Sequence, residues 1–293
     1  MSAGSGPAPR KGDRMDQVET AEPGRGAPAV RTLWAVSDLH VAVRENRPVV
    51  AELAPHHPGD WLIVAGDVAE RPELVLRTLG ELADRFERVI WTPGNHELFC
   101  RGTDRHTGED RYRQLVEGAR ALGVVTPEDP FPVFAGVTIC PLFTLYDYTW
   151  RTVGRSVDEA VAEASAAGVM MTDEFAIRPF EDPVVWCRRR LAATVRRMAH
   201  VRGPVVLVNH WPLVREALEG LAVPQLALWA GTRHTQHWPQ RYGAVAVVYG
   251  HLHLPREFTV DGVRHVEVSL GYPREWQGHP AGRAWPVPVL EDR

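Results

Sequence analysis

The chain has 293 residues, a formal net charge of −4 and 44% hydrophobic residues, enough for one large domain or two small ones. This charge balance argues against nucleic-acid binding, and no apolar run approaches the roughly 20 residues that a membrane helix needs. The N-terminus lacks the apolar segment of a signal peptide, so we expect a cytoplasmic protein. The three cysteines (Cys100, Cys140, Cys187) are far apart in the sequence, and we predict isolated reduced thiols in or near the core.

The first 30 residues differ in composition from the rest of the chain. They are rich in Gly, Pro, Ala and charged residues and show no periodicity, so residues 1–30 are predicted to form a disordered tail. Residues 31–293 are predicted to form a single domain. The sequence contains no visible internal repeat, and nothing in it indicates an oligomeric state.

The first half of the predicted domain alternates short apolar strands with helices. Strands are predicted at "RTLWAV", "DWLIVAG", "RVIW" and "GVTICPLF". The segment "PELVLRTLGELADRF" lies between the second and third strands. It is predicted to be helical, with Val75, Leu79, Leu82 and Phe86 on one face. A second helix is expected at residues 111–122.

The second half continues this alternation and ends in strands. Helices are predicted at residues 156–167 and 183–200, the latter with Val184, Leu191, Val195 and Met198 as an apolar stripe. Two buried strands follow, "PVVLV" and "AVAVVY". The segment "REFTVDGVRHVEV" is predicted to be a hairpin that turns at Asp261-Gly262. This pattern favours an α/β fold of layered, largely buried sheets.

Polar clusters follow five of the predicted strands, where ligand sites of such folds lie. The clusters are "SDLH" (Asp38, His40), "AGDVAE" (Asp67), "PGNHE" (Asn95, His96), "VNHWP" (His210) and "YGHLH" (His251, His253). Any one of these alone is more typical of a structural loop or a capping residue. All five in order, each at a strand end, indicate a metal site.

The donor atoms of these clusters define the kind of metal. Carboxylates, imidazoles and one carboxamide, without a thiolate, suit Mn or Fe, with Zn as another possibility. The candidate ligands are too many for one ion. They suit two divalent transition-metal ions, roughly 3.5–4 Å apart, that share a bridging carboxylate.

The pattern "DLH…GDVAE…GNHE…NH…GHLH" resembles the calcineurin-like metallophosphoesterase family. The resemblance implies a β-sandwich of two sheets flanked by helices, with a dinuclear metal site at the strand ends. It implies that Asp38, His40 and His253 bind the first ion, that Asn95, His210 and His251 bind the second, and that Asp67 bridges them. The sequence departs from the family pattern at Glu97 and Glu70, where the family often has Asp.

The same resemblance implies hydrolysis of a phosphoester by water that the two ions activate. His96 is implied to lie off the metals as the catalytic residue, which stabilises the transition state or protonates the leaving oxygen. The other histidines are predicted to lie at the surface or to orient metal-bound imidazoles, and His234 and His237 are the best candidates for the orienting role.

Several segments show a closer resemblance within the family. "VVTPEDPFPV", "LYDYTW", "TDEF" and "EVSLGYPREW" resemble actinobacterial phosphopantetheinyl hydrolases. This resemblance implies removal of 4′-phosphopantetheine from the serine of a holo acyl or peptidyl carrier protein. Residues 146–150 and 211–212 are predicted to line the path of the pantetheine arm, with core packing as the alternative. Arg189, Arg196 and Arg197 are a candidate carrier-docking face, with a simple solvated face as the alternative.

Two other functions remain open at this point. One is the same chemistry on a nucleotide or another small phosphoester, because a fold and a metal site do not determine the substrate. The other is a non-catalytic scaffold of the same fold. The presence of Asp67, Asn95 and His96 argues against the scaffold, which would be expected to lose such residues.

Overall fold

The computed structural model describes residues 30–277 and 284–292, together with Met1 and Gly4. The predicted tail, residues 1–30, lies outside the described residues apart from Met1, Gly4 and Val30. In chain order the strands are β1 (Arg31–Val36), β2 (Trp61–Val64), β3 (Arg88–Trp91), β4 (Val133–Phe134), β5 (Val137–Pro141), β6 (Val205–Val208), β7 (Ala244–Tyr249), β8 (Glu257–Val260), β9 (Val263–Glu267) and β10 (Val287–Asp292).

Helices connect most of these strands. They are α1 (Asn46–Glu52), α2 (Pro72–Ala83), α3 (Asn95–Leu98), α4 (Gly108–Ala121), α5 (Val157–Ala166), α6 (Asp173–Ala176), α7 (Pro183–Met198), α8 (Trp238–Arg241) and α9 (Pro273–Trp276). Short 3₁₀ turns lie at Arg215–Leu218, Pro224–Trp229 and Arg233–Thr235. Among the described residues, no helix has the length and apolar character that crossing a membrane requires.

The strands form two mostly parallel sheets. The first has the order β10-β1-β2-β3, with β10 antiparallel to the other three. The second has the order β4-β5-β6-β7-β9-β8, with antiparallel strands at both edges. A parallel bridge between Ser37 and Ser269, just beyond the ends of β1 and β9, links the two sheets.

Apolar residues fill three layers around these sheets. Between the sheets, Ala35 and Ile63 belong to the same buried cluster as Val206 and Val248. The outer face of the first sheet packs against α2 and α4, and the outer face of the second packs against α7 and α8. This arrangement confirms the predicted α/β fold of two sheets flanked by helices. It also explains why most strands are continuous apolar runs, because both of their faces are covered.

Several sequence predictions are confirmed in detail. Val75, Leu79, Leu82 and Phe86 are all buried against the first sheet. The hairpin of β8 and β9 turns at Asp261-Gly262, and both of these residues have positive φ angles, as such a two-residue turn requires. The three cysteines are free and buried.

The buried face of α7 differs from the predicted stripe. Met198 is buried as expected, but Val184, Leu191 and Val195 are only partly buried. The helix instead buries Trp186, Cys187 and Thr194. Trp186 rotates the buried face because its ring packs edge-on against Phe143, with ring centroids 5.3 Å apart.

Candidate metal centre

The polar residues that follow β1, β2, β3, β6 and β7 meet at one edge of the sandwich. This convergence follows from the fold, since the carboxyl ends of parallel strands lie at the same edge of a sheet. The Ser37–Ser269 bridge brings the two sheets together at this edge. The structure therefore places all seven predicted ligands in one continuous cluster, together with His96.

One half of the cluster contains Asp38, His40 and His253. The Nε2 atom of His253 lies 2.9 Å from Oδ1 of Asp38 and 3.3 Å from Nε2 of His40. All three residues offer a donor atom, and these atoms lie within 4.8 Å of one another. Such a group is compatible with the binding of one ion.

The other half contains Asp67, Asn95, His210 and His251. The Nε2 atom of His210 lies 3.2 Å from Oδ1 of Asn95 and 3.4 Å from Oδ2 of Asp67. The Nδ1 atom of His251 lies 3.1 Å from the same Asn95 oxygen and 3.2 Å from Nε2 of His210. These distances converge on a second position for an ion.

Asp67 lies between the two halves. One of its carboxylate oxygens falls in a group with His210 and His251, and another grouping joins Asp67 to His40 and His96. The carboxylate thus faces residues of both halves, which is the position of a bridging ligand. The Nε2 atom of His96 is 3.9 Å from Oδ2 of Asp67, so this imidazole lies beside the bridge.

Five of the seven candidate ligands have a left-handed backbone. Their φ angles lie between 40° and 73°, and the residues are Asp38, His40, Asp67, His251 and His253. Each such conformation of a non-glycine residue costs of order 1–3 kcal/mol and clusters at functional sites. Loop-to-loop hydrogen bonds hold two of them, because Asp38 donates its backbone N–H to Gly66 (2.9 Å) and His40 donates to Asp67 (3.0 Å).

Two glycines are required by close approach of the loops. A Cβ atom at Gly94 would collide with the carboxylate of Asp67, and one at Gly250 would collide with Ser37 and Asp38. Neither Gly94 nor Gly250 needs its backbone freedom for a positive φ angle. Close approach of a neighbouring loop, and not a positive φ angle, therefore accounts for glycine at these two positions.

The candidate ligands are oriented by buried partners. His210 donates its Nδ1–H to the backbone oxygen of Ala65 (2.8 Å), and His253 donates to Oε2 of Glu275 (2.7 Å). Such bonds fix the tautomer and direct the other ring nitrogen towards the centre. The Nδ2 group of Asn95 donates to the fully buried Asp173 (3.2 Å), which leaves Oδ1 of Asn95 facing the imidazoles.

The prediction that His234 and His237 orient metal-bound imidazoles is wrong. Both side chains are exposed, and His234 lies 3.7 Å from Asp147 instead of contacting a candidate ligand. Sequence reasoning missed Asp173 and Glu275, the acids that contact candidate ligands. The only signal was their place in "TDEF" and "GYPREW", which the resemblance had already singled out.

The two departures from the family pattern have clear structural roles. Glu97 is fully buried, and its carboxylate accepts the backbone N–H groups of Asp67, Val68 and Gly94 at 2.8–2.9 Å. It therefore ties together two of the loops that carry candidate ligands. Glu70 lies at the surface, 3.7 Å from Nδ1 of His96.

Facing charges shift the pKa values of several candidate ligands. Burial raises the pKa of Asp38, but attraction to His253 and His210 outweighs burial and holds this pKa well below its usual range. For His210, burial lowers the pKa, but Asp67 and Asp38 together raise it to about 9. The pKa of His253 is also raised against the effect of burial, by Asp38 and Glu275.

His40 and His251, the other two histidines among the candidate ligands, are held neutral. Burial lowers the pKa of His40 to about 4 and that of His251 to about 3. Their uncharged nitrogens are available as donors at neutral pH. His40 and His251 are thus already in the neutral form that metal binding uses, whereas His210 and His253 must first lose a proton.

Comparison with known proteins agrees with this geometry. The family model for calcineurin-like phosphoesterases matches residues 31–255, which is most of the chain. This chain belongs to the calcineurin-like phosphoesterase family. It is 49% identical over 272 residues to the [acyl-carrier-protein] phosphodiesterase PptH of Mycobacterium tuberculosis (strain ATCC 25618 / H37Rv), an alignment that covers 89% of this chain and 84% of the relative.

The fold agrees with a solved structure of the same kind. The crystal structure of phosphopantetheinyl hydrolase (PptH) from Mycobacterium tuberculosis superimposes with a TM-score of 0.86 and 46% identity. The superposition covers 90% of this phosphoesterase and 97% of that chain. The family assignment made from the sequence is confirmed.

The donor set of this phosphoesterase fits two divalent ions. Oxygen and imidazole donors converge in two groups that meet at Asp67, and hard or borderline transition metals prefer such donors. The strained backbone of five candidate ligands also fits a centre whose bound ions hold the loops in place. Divalent ions bound there supply Lewis-acid stabilisation of a phosphoryl group and lower the pKa of bound water.

The aromatic segments predicted to line the substrate path lie in the core instead. Tyr146, Tyr148, Trp150 and Trp211 are almost fully buried, so core packing, and not a path for the substrate, describes residues 146–150 and 211–212. The aromatic groups at the open side of the centre are Tyr272, Phe99 and His96. Tyr272 stacks on His40 at 4.6 Å, and the Phe99 ring lies 4.5 Å from His96.

Metal binding is expected to release protons at pH 7. His210 and His253 are protonated without metal because their pKa values are raised, and both must lose a proton to bind an ion. We therefore expect the release of about two protons per chain, and metal affinity that increases from pH 7 to about 9. Calorimetry in buffers of different ionisation enthalpy measures this release. Binding without proton release would contradict the assignment of these two imidazoles.

Removal of the Glu275 carboxylate is expected to weaken metal binding. Glu275→Ala leaves Nδ1 of His253 without its acceptor, and loss of such a partner costs about 10–100-fold in metal affinity. Glu275→Gln retains an acceptor oxygen, so its metal affinity should fall less than that of Glu275→Ala. Competition with a chromogenic chelator measures both variants, with Glu81→Ala, at an exposed position of α2, as the control. Equal affinities in Glu275→Ala and wild type would contradict the orienting role.

Proposed function

We propose that this protein is a metal-dependent phosphodiesterase that removes 4′-phosphopantetheine from the serine of a holo acyl or peptidyl carrier protein. The observation that carries the proposal is the pair of donor groups joined at Asp67, found in a chain 49% identical to an [acyl-carrier-protein] phosphodiesterase. In the reaction, the P–O bond to serine breaks. Water provides the oxygen that stays on phosphorus and the proton that goes to the serine oxygen.

We assign the metal ligands as the sequence predicts them. Asp38, His40 and His253 bind one ion, Asn95, His210 and His251 bind the other, and Asp67 bridges the two. We propose Mn or Fe as the ions, with Zn as the third possibility, because the donors are imidazoles and oxygens without a thiolate.

His96 is assigned as the catalytic residue. Its side chain is 19% exposed, so it reaches the open side of the centre, where a substrate arrives. It lies beside the bridging Asp67 and has the carboxylate of Glu70 at its other ring nitrogen. This position suits a group that hydrogen-bonds the serine oxygen and delivers its proton as the P–O bond breaks.

Two of the three candidate docking arginines of α7 have partners within the chain. Arg189 contacts Glu109 (3.0 Å) and Glu181 (2.8 Å), and Arg197 donates to the backbone oxygen of Asp129. The two ion pairs of Arg189 favour the solvated-face interpretation for that residue, because its charge is already compensated. We also propose a cytoplasmic location, where thiols such as the three buried free cysteines stay reduced.

A substrate panel tests the proposal directly. The manganese- or iron-loaded enzyme should show a higher kcat/KM for holo carrier protein than for a cyclic nucleotide or a nucleoside monophosphate. Chelation should abolish turnover, and Mn(II) or Fe(II) should restore it. A preference for a nucleotide would assign the same centre to another phosphoester. Loaded enzyme without activity on any phosphoester would indicate a scaffold.

A further inference from the structure

A cavity of about 540 Å³ lies beside His96. Its volume is within the range of roughly 300–1,000 Å³ that small-molecule sites occupy. The residues that matter most in its walls are Glu70, Arg71, Phe99, Arg101, Thr172 and Ala176.

The cavity adjoins the residue assigned to catalysis. Two of its wall residues contact His96: Glu70 lies 3.7 Å from Nδ1, and the ring of Phe99 lies 4.5 Å from the imidazole. His96 in turn lies 3.9 Å from Asp67. The wall of the cavity and the bridging Asp67 therefore lie on two sides of the same imidazole.

Helix α6 connects the opposite wall to the metal ligands. Thr172 precedes this short helix and Ala176 is its last residue, and both line the cavity. Between them, Asp173 accepts the hydrogen bond from Asn95. The backbone N–H of Cys100 donates to the oxygen of Ala176 (2.8 Å), which fixes this wall to the loop that follows His96.

The charges in the walls compensate one another. Three arginines and three acidic residues line the cavity (Arg71, Arg101, Arg111, Glu70, Glu73, Asp104). Arg101 lies 3.6 Å from Glu70, and Arg111 lies 3.3 Å from Asp104. Walls of this kind offer many hydrogen-bonding groups without a strong net field. They suit a neutral polar chain better than a second phosphate or a nucleotide polyanion.

We infer that this cavity binds the pantetheine arm of the substrate, an inference that rests on the proposed function. The arm is uncharged beyond its phosphate and contains a dimethyl carbon, a hydroxyl group, two amides and a terminal thiol. Phe99 and Ala176 provide apolar contact for the methyl groups, and the paired charged residues provide partners for the amides. A folded carrier protein is far too large for the cavity, so only the arm enters it.

The test introduces bulky side chains at two positions of the cavity wall. Thr172 is exposed, so Thr172→Trp places an indole in the cavity without disturbing the core, and Ala176→Phe fills the cavity from the other end of α6. Met170→Trp is the matched control, because Met170 is 71% exposed, precedes the same helix and is not part of the cavity wall. The substrates are holo carrier protein and methyl p-nitrophenyl phosphate, a small diester without an arm.

The expected result is a change in specificity. The ratio of kcat/KM for holo carrier protein to that for the small diester should fall at least about tenfold in Thr172→Trp and Ala176→Phe, as expected for loss of substrate contacts of 1.4 kcal/mol or more. The ratio should remain within about twofold of wild type in Met170→Trp. Free pantetheine should inhibit the wild type more strongly than either cavity variant.

Two outcomes would count against these ideas in different ways. Unchanged ratios in both cavity variants, with wild type active on holo carrier protein, would overturn the cavity assignment alone. Wild type that hydrolyses the small diester and leaves holo carrier protein intact would overturn the proposed function, and the arm site with it.

Discussion

Replacement of His96 by alanine is expected to lower kcat by about 10²–10⁴-fold while both metal ions remain bound. The imidazole lies beside the bridging Asp67 and is partly exposed, so it can reach a leaving oxygen. Its contacts with Asp67 and Glu70, at 3.9 Å and 3.7 Å, are longer than hydrogen bonds. Its removal should therefore change the chemical step more than the stability of the site.

Metal analysis of the purified variant distinguishes this role from a ligand role. Geometry alone also allows His96 to join His40 and Asp67 around an ion. Two ions per chain together with slow turnover would confirm the catalytic role. Loss of one ion, with normal turnover after metal is added back, would instead identify His96 as a ligand. His234→Ala, which removes an exposed histidine, is the matched control.

The second large effect is expected from Asp67→Asn, which should reduce metal occupancy and turnover together. The carboxylate faces both halves of the centre, and its charge raises the pKa of His210 and, with the neighbouring imidazoles, orders the site. The loss in metal affinity should exceed about 100-fold. This is the largest effect typical of removing a residue that only orients a metal ligand, and Asp67 is itself a candidate ligand. Excess metal should restore part of the turnover.

Atomic absorption and chelator competition measure this loss. Asp84→Asn, at an exposed position after α2, is the matched control for the change of charge. Asp67→Asn with two tightly bound ions and full turnover would contradict the bridging position.

The α/β arrangement of strands and helices could be predicted because short sequence patterns mark the individual strands and the hairpin. Apolar runs that end in polar residues identified the strands around Asp38, Asp67 and His251, and the Asp261-Gly262 pair identified the hairpin. Parallel strands then bring their ends to one edge, so the candidate ligands could be grouped before any distance was known.

The finer features of the site depend on tertiary contacts that no local pattern encodes. The left-handed backbone of Asp38 and His40 is held by hydrogen bonds to the loop after β2. Asp173 lies 78 residues after Asn95, so no spacing rule connects them. Burial of Tyr146 and Trp150 also depends on how the long segment between β5 and α7 packs.

Intact-mass analysis of holo carrier protein after incubation with the metal-loaded enzyme tests the central claim most directly. The account predicts that the carrier loses the whole phosphopantetheinyl group and retains an unmodified serine, with 4′-phosphopantetheine in solution. The same incubation with His96→Ala should leave most of the carrier in the holo form. A carrier that keeps phosphate on its serine, or that keeps its full mass with wild-type enzyme, would contradict the account.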